Sequence, residues 1–269
     1  MIGKLLDERY EIVSQLGVGG MGEVYKAKHL GTGRMVAVKV ILAPDLEKKK
    51  DHVKRFQREA RVVGQMETRH ICQVMDTGTD PATGRPFMVM ELLKGNELGE
   101  LVKRVGPLEP SAALEIAAQA CHGLQRAHEA KIVHRDIKPP NIFLAKQDDD
   151  IIVKLLDFGI AKIQEEAEWA PRSSTLTHAG ALVGSPRFMS PEQARSRSDI
   201  DYRTDIYSLG VVLYYMLSGQ APFHEVESVG DLIFTICSDP APPLQGVAPW
   251  VSPEIAELVH CSLQIEPDD

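Results

Sequence analysis

Basic charge is in short supply: 30 lysines and arginines stand against 38 aspartates and glutamates in 269 residues, a formal net charge of −8. A nucleic-acid or anionic-membrane surface needs a basic field to draw in phosphate, so neither partner is expected. Cysteine is sparse as well. Its four copies, Cys72, Cys121, Cys237 and Cys261, stand far apart with no CxxC pair, which argues against a zinc site or a disulfide framework and fits a reducing cytoplasm. The chain does not open on a charged n-region followed by an apolar run, so no secretory signal is expected. Long apolar runs are missing too. The most apolar segment, "IYSLGVVLYYML" at 206–217, is about a dozen residues where a membrane span needs roughly 20, and it reads as a buried core helix. Repeats and low-complexity tracts are absent, and the short acidic runs Asp148 to Asp150 and Glu165 to Glu168 read as solvated loops.

What is present is ordinary globular material. With 43% apolar residues, the chain can bury a large core as one big domain or two lobes. Residues 10–93 are rich in β-type runs broken by glycine: "YEIVSQLG", "GEVYKAKH", "MVAVKVI", "CQVMDTG" and "PFMVMELL". One amphipathic helix is predicted among them, over 51–66, with Val53, Phe56, Ala60 and Val63 on one stripe. After residue 94 the pattern turns helical. "SAALEIAAQACHGLQRAHEA" is expected to carry Leu114, Ala117, Cys121, Leu124 and His128 on one face, and 204–218 is apolar nearly all round before Gly219 ends it.

"GVGGMGEV" sets Gly17, Gly19 and Gly22 in a GxGxxG pattern between two β-type runs, where missing side chains let backbone N–H groups approach phosphate. A dinucleotide-binding turn would run into a helix. Here "EVYKAKH" follows, alternating like a strand, so a glycine-rich flap over a nucleotide fits better. In "VAVKVI", period-2 geometry puts Ala37, Lys39 and Ile41 on one face and Val36, Val38 and Val40 on the other. Glu59 projects from the apolar stripe of the predicted helix and needs a cation, for which Lys39 is the natural partner. Further on, "HRDIKPPNIF" gathers Asp136, Lys138 and Asn141 within six residues. A carboxylate there could accept a hydroxyl proton while the amide oxygen binds a metal. Asp157, in "LLDFGIAK", offers magnesium a hard oxygen ligand on a turn. Each signal is weak alone; the ordered set is specific.

That set resembles the eukaryotic-like (Hanks-type) protein serine/threonine kinases over nearly the full length, through "GVGGMGEVYKAK", "VAVK", Glu59 in "FQREA", "HRDIKPPN", "DFG", "GSPRFMSPEQA" and "DIYSLG". "GGMGEVYKA" with "MSPEQA" looks most like the bacterial branch. The resemblance implies an α+β, two-lobed protein-kinase fold over 1–269, with a β-rich N-lobe of about 1–93 carrying one key helix and an α-rich C-lobe of about 94–269. It implies ATP-dependent phosphotransfer to Ser/Thr hydroxyls of protein substrates, with Mg2+ as cofactor and Mn2+ as an alternative. A nucleotide-binding pseudokinase scaffold and a small-molecule phosphotransferase are the competing readings, and self-association of kinase domains remains open.

By the same resemblance, Gly17, Gly19 and Gly22 cover the ATP phosphates, with Val18, Gly20 and Met21 in the same loop. Leu16, Val24, Ala37 and Phe143 would sandwich the adenine, Met90 would back the pocket, Glu91 and Leu93 would offer hinge backbone groups, and Glu97 would reach the ribose. Lys39 pairs with Glu59, Asp136 takes the substrate proton, Lys138 steadies the γ-phosphate, and Asn141 and Asp157 hold the metal. Asp205 would brace His134 and Arg135. Arg135 implies control by phosphorylation in "RSSTLTHAG", with Thr175 and Thr177 favoured over Ser173 and Ser174.

Departures from the family pattern also carry expectations. Ser185 stands where threonine is usual, and Ser190 where alanine is usual. Pro140 occupies a position that often carries a substrate-contacting glutamate, which implies weak preference for arginine upstream of the target hydroxyl. The family continues past "CSLQIEPDD" with an arginine that pairs with the glutamate matching Glu192, and with a last helix. Glu192 is therefore expected without its ion-pair partner, a loss on the order of 3 to 5 kcal/mol for a buried pair.

Overall fold

The computed structural model describes residues 1–19, 22–41, 60–158 and 186–268. They fall into two compact units. One comprises Met1–Glu67 and Ile71–Lys94; the other takes Thr68–His70 and the described residues from Gly95 onward.

The first unit is built on an antiparallel sheet of β1 (Leu5–Leu6), β2 (Tyr10–Gly19), β3 (Gly22–His29), β4 (Met35–Ile41), β5 (Val74–Thr79) and β6 (Pro86–Glu91), in spatial order β1-β2-β3-β4-β6-β5. Because side chains alternate along a strand, register decides which residues share a face. Val38 lies opposite Tyr25 and Val89, and with Val36, Val40, Ala27 and Phe87 these residues join Leu6, Tyr10 and Ile12 in one buried cluster. The opposite face carries Val24 opposite Lys39 and Ala37 opposite Met90. Both faces of β4 are thus covered, and its burial is continuous from Val36 to Ile41. Gly22 is fixed by close approach: a Cβ there would lie 2.3 Å from the Val40 carbonyl oxygen. Of the helix expected over 51–66, only the end falls among the described residues; 60–64 are helical, with Ala60 and Val63 buried.

The second unit combines a three-stranded sheet, β7 (Gly95–Glu97), β8 (Ile142–Gln147) and β9 (Asp150–Leu155), with helices α1 (Leu98–Val105), α2 (Pro110–Glu129), α3 (Pro191–Ala194), α4 (Arg203–Ser218), α5 (Val229–Ser238), α6 (Leu244–Val247) and α7 (Pro253–Ser262). Proline takes the first turn of α2, α3 and α7, where a missing N–H costs nothing. Helix α4 is the buried one. It ends on Gly219 in the left-handed conformation (φ 79°), whose N–H caps the Tyr215 carbonyl.

Helix α2 buries a face that shares Ala117 and Leu124 with the expected one but is rotated away from Cys121. Cys121 is exposed and Leu114 and His128 are half-buried, while Ala113, Ile116, Ala117, Ala120, Gly123, Leu124 and Ala127 are covered. The stripe of small residues wins because it admits neighbours closely: a Cβ on Gly123 would meet the His70 carbonyl oxygen at 2.8 Å. Along β9, the Gln119 side chain accepts from Val153 N–H at 2.9 Å, so α2 also covers backbone that would otherwise stand as a bare strand edge.

Candidate active site

The segment 134–141 links α2 to β8, and buried side chains hold its backbone at His134, Arg135 and Asp136. His134 is fully buried; its N–H donates to Asp205 Oδ2 at 2.8 Å. Its Nδ1 accepts from Asp136 N–H at 3.3 Å, which leaves Nε2 as the donor to the Leu156 carbonyl at 2.8 Å. Burial lowers the imidazole's pKa below its ordinary 6.5, outweighing the pull of Asp205 and the other acids around it, so the ring is neutral. It packs on the Phe158 ring at 4.5 Å between centroids.

Arg135 follows with φ of 62°, and its N–H donates to Asp205 Oδ1 at 2.7 Å. Asp205 itself is wholly buried in the first turn of α4 and takes a third bond from His128 Nε2 at 2.8 Å. Asp136 Oδ2 is gripped from both sides, by Lys138 Nζ at 2.8 Å and Asn141 Nδ2 at 2.9 Å. Asn141 Nδ2 also donates to the Asp136 carbonyl at 2.8 Å. Pro139–Asn141 form a single 3-10 turn, with Pro139 buried beside Gly99 and Pro140 exposed. The turn is tied to the end of β9 where Leu156 N–H meets the Asn141 carbonyl at 2.8 Å. Asp157 comes next, in a left-handed conformation (φ 50°).

This donor set suits a hard cation. Asn141 spends its amide N–H groups on Asp136, which leaves its oxygen as the ligand atom, and Asp157 adds a carboxylate from the segment bonded to Asn141. Among the described residues no three His, Cys, Asp or Glu side chains cluster as a metal site. Two protein oxygens completed by substrate phosphates are the arrangement magnesium accepts. On the same unit, Glu97 pairs with Phe143 across β7 and β8. Partial desolvation, reinforced by the charges of Glu100 and Asp157 and opposed by Lys103, raises the Glu97 carboxyl above its usual range.

The first unit carries the other expected residues. Lys39 is 8% exposed on β4, on the face shared with Val24, Ala37 and Met90. Glu91 N–H and its carboxylate bracket residue 73, bonding the Gln73 carbonyl at 3.0 Å and the Gln73 N–H at 2.9 Å. Leu93 is half-buried. Leu16, Gly17, Val18 and Gly19 are all exposed at the end of β2, and a Cβ on Gly17 would meet nothing within 4 Å. Gly20, Met21, Glu59, Thr175, Thr177 and Ser185 lie outside the described residues. Glu192 is 6% exposed in α3, and its charge reaches Arg197 and Tyr207.

Two groups escaped the sequence reading. His128, placed there on an apolar face, is a donor to Asp205. Gln193 belongs to a capping box: Ser190 Oγ accepts from Gln193 N–H at 3.4 Å and Gln193 Oε1 from Ser190 N–H at 3.2 Å. "SPEQ" displays the S-x-x-Q signature of that box directly.

Residues 10–269 match the family described as protein kinase domain. The serine/threonine-protein kinase pkn3 of Myxococcus xanthus is 35% identical over 100% of this chain and 48% of its own length. The serine/threonine-protein kinase PknB of Mycolicibacterium smegmatis is 39% identical over 98% of this chain and 41% of its own. The chain thus spans about half or less of the length of these curated relatives. Among solved structures, the PknI kinase domain of Mycobacterium tuberculosis superposes with a TM-score of 0.73 at 25% identity, covering 100% of this chain and 92% of that one. Rad53 in complex with AMP-PNP gives a TM-score of 0.77 at 27% identity, over 97% and 62%.

Proposed function

The chain belongs to the protein kinase domain family, and from that membership we propose that it transfers the γ-phosphate of ATP to serine and threonine hydroxyls of protein substrates. The observation that carries this reading is the grip on Asp136: one carboxylate oxygen shared by Lys138 and Asn141, in a loop whose backbone hangs on a buried aspartate. A general base works when its position is set before substrate arrives, since orientation lost in the ground state must be recovered at the barrier. Asp136 orients the substrate hydroxyl and accepts its proton. Lys138, beside it, offsets negative charge on the phosphoryl in flight.

Asn141 and Asp157 would hold Mg2+, with Mn2+ as an alternative. When bound, the ion would supply positive charge against the phosphate oxygens. Lys39, paired with Glu59, grips the α- and β-phosphates. Packing accounts for Gly22, whose Cβ would strike Val40, but makes no such demand at Gly17 and Gly19. Approach of a ligand's phosphates to the backbone supplies the missing reason for both, with Val18, Gly20 and Met21 completing the loop. Leu16, Val24, Ala37 and Phe143 contact the adenine, Glu91 and Leu93 offer it backbone groups, and Glu97 serves the ribose.

Phosphorylation of Thr175 and Thr177, read out through Arg135, sets activity. The domain acts in the cytoplasm on protein rather than nucleic acid, and self-association of kinase domains is compatible with this role. Among the described residues no helix is long and apolar enough to cross a membrane.

The test is incubation with γ-labelled ATP, Mg2+ and a generic protein acceptor, followed by phosphoamino-acid analysis. Phosphoserine or phosphothreonine is expected, with label on the chain itself at Thr175 and Thr177. Nucleotide binding without transfer would make the chain a pseudokinase scaffold, and label found only elsewhere on the chain would remove the two threonines from its control.

A further inference from the structure

Arg135 carries its left-handed backbone immediately before the candidate base, a conformation that costs a residue with a Cβ and persists only where its surroundings enforce it. Enforcement comes from both ends of the residue. Its N–H donates to Asp205 Oδ1 at 2.7 Å, and its carbonyl accepts from Gln193 Nε2 at 2.8 Å. We propose that Gln193 is a positioning residue for phosphoryl transfer, fixing the peptide between Arg135 and Asp136 from helix α3. The proposal rests on the kinase reading above.

The contacts close a circuit. Gln193 Oε1 accepts from Ser190 N–H. Ser190 Oγ meets Thr204 Oγ1 at 2.6 Å, with both residues wholly buried. Thr204 precedes Asp205, which returns to Arg135. Serine at 190 contributes a hydroxyl to this ring that alanine could not. The orientation of the Gln193 amide is settled by its neighbours: because Ser190 donates to one end, the other end must be the N–H that faces the Arg135 carbonyl.

Capping alone does not require an amide. Glutamate at this position of a capping box serves as well, and its charge suits a helix N-terminus. Only the amide can cap Ser190 and donate to Arg135 at the same time. Glutamine is therefore explained by the second bond, which couples α3 to the backbone that carries Asp136.

Gln193→Glu and Gln193→Ala separate the two jobs. The glutamate variant keeps the cap and loses the donor; the alanine variant loses both. Expected for Gln193→Glu are a melting temperature between those of wild type and Gln193→Ala, because the cap survives while the Arg135 carbonyl loses its donor, an unchanged KM for ATP, and a kcat lower by about tenfold. Gln193→Ala should lower kcat similarly and also melt earlier. A wild-type kcat in Gln193→Glu, or a melting temperature in it as low as that of Gln193→Ala, would overturn the proposal. The Asp136 amide gives a readout that needs no activity, since its nitrogen shares a peptide group with the Arg135 carbonyl. Its NMR resonance should move in both variants, and an unmoved resonance excludes the bridge. A wild type that transfers no phosphate would count against the kinase reading, and the amide resonance would still decide whether Gln193 holds the loop.

Discussion

The loop at 134–141 and the end of β2 at Leu16–Gly19 are assigned to one reaction, yet they are built on opposite principles. In the loop, buried Asp205, His134 and Asn141 hold successive backbone and side-chain groups. At the end of β2 every residue is exposed, and nothing packs where a Cβ on Gly17 would sit. The difference follows from the tasks proposed for each. A base must be in place before the substrate arrives, whereas backbone that touches phosphate must be bare until it does. Preorganisation is supplied by polar burial in one region and access by the lack of side chains in the other.

The contrast can be broken most forcefully at Asp205. Asp205→Ala strips the acceptor from the His134 and Arg135 N–H groups, and each buried donor left unpaired costs about 1–3 kcal/mol. Urea denaturation should show a loss of that size per amide, with phosphate transfer abolished. The glycines test the other side. Gly22→Ala places a methyl against Val40 and should cost about 1–3 kcal/mol in the same assay. Gly17→Ala should stay within about 0.5 kcal/mol of wild type while raising KM for ATP. Equal stability losses at both glycines would erase the distinction.

Acid probes the loop more gently. Burial depresses His134, and burial together with nearby positive charge depresses His70, below the ordinary 6.5. On acidification the unfolded chain takes up these protons first. Stability should therefore be full above pH 6.5 and decline as pH falls below it, at up to about 1.4 kcal/mol per pH unit for each histidine until the folded ring titrates. Melting temperatures across this window in wild type and His134→Gln check the sign and the source. The smallest effect is expected at exposed Pro140. Pro140→Glu should raise turnover of a peptide with upstream arginine by about two- to fivefold, as an exposed ion pair allows. A wild type already strongly favouring such peptides would contradict the weak preference assigned to it.

Much of this architecture could be read from local pattern. The strands of the first unit follow from period-2 alternation and glycine breaks, and Lys39 falls on the face that register later places opposite Met88. Helix starts at Pro110, Pro191 and Pro253 and the stop at Gly219 obey rules that act within one turn. The buried face of α2 is legible only at Ala117 and Leu124, because alanine and glycine weigh little on a hydrophobicity scale but allow the closest packing. Contacts that join distant segments were out of reach: His128 meets Asp205 across 77 positions and Gln193 meets Arg135 across 58. No periodicity encodes such pairs. The chemistry of the loop was visible in its residue types; the means of holding it was not.

One comparison bears most directly on the assignment of Asp136. Asp136→Asn preserves size and keeps one oxygen to accept from Lys138 and Asn141 but removes the charge and the base. Its melting temperature should therefore lie close to wild type, less only the half-buried ion pair to Lys138, while single-turnover transfer from labelled ATP to a protein acceptor falls by about 100-fold or more. Transfer at the wild-type rate in a folded Asp136→Asn would contradict the account.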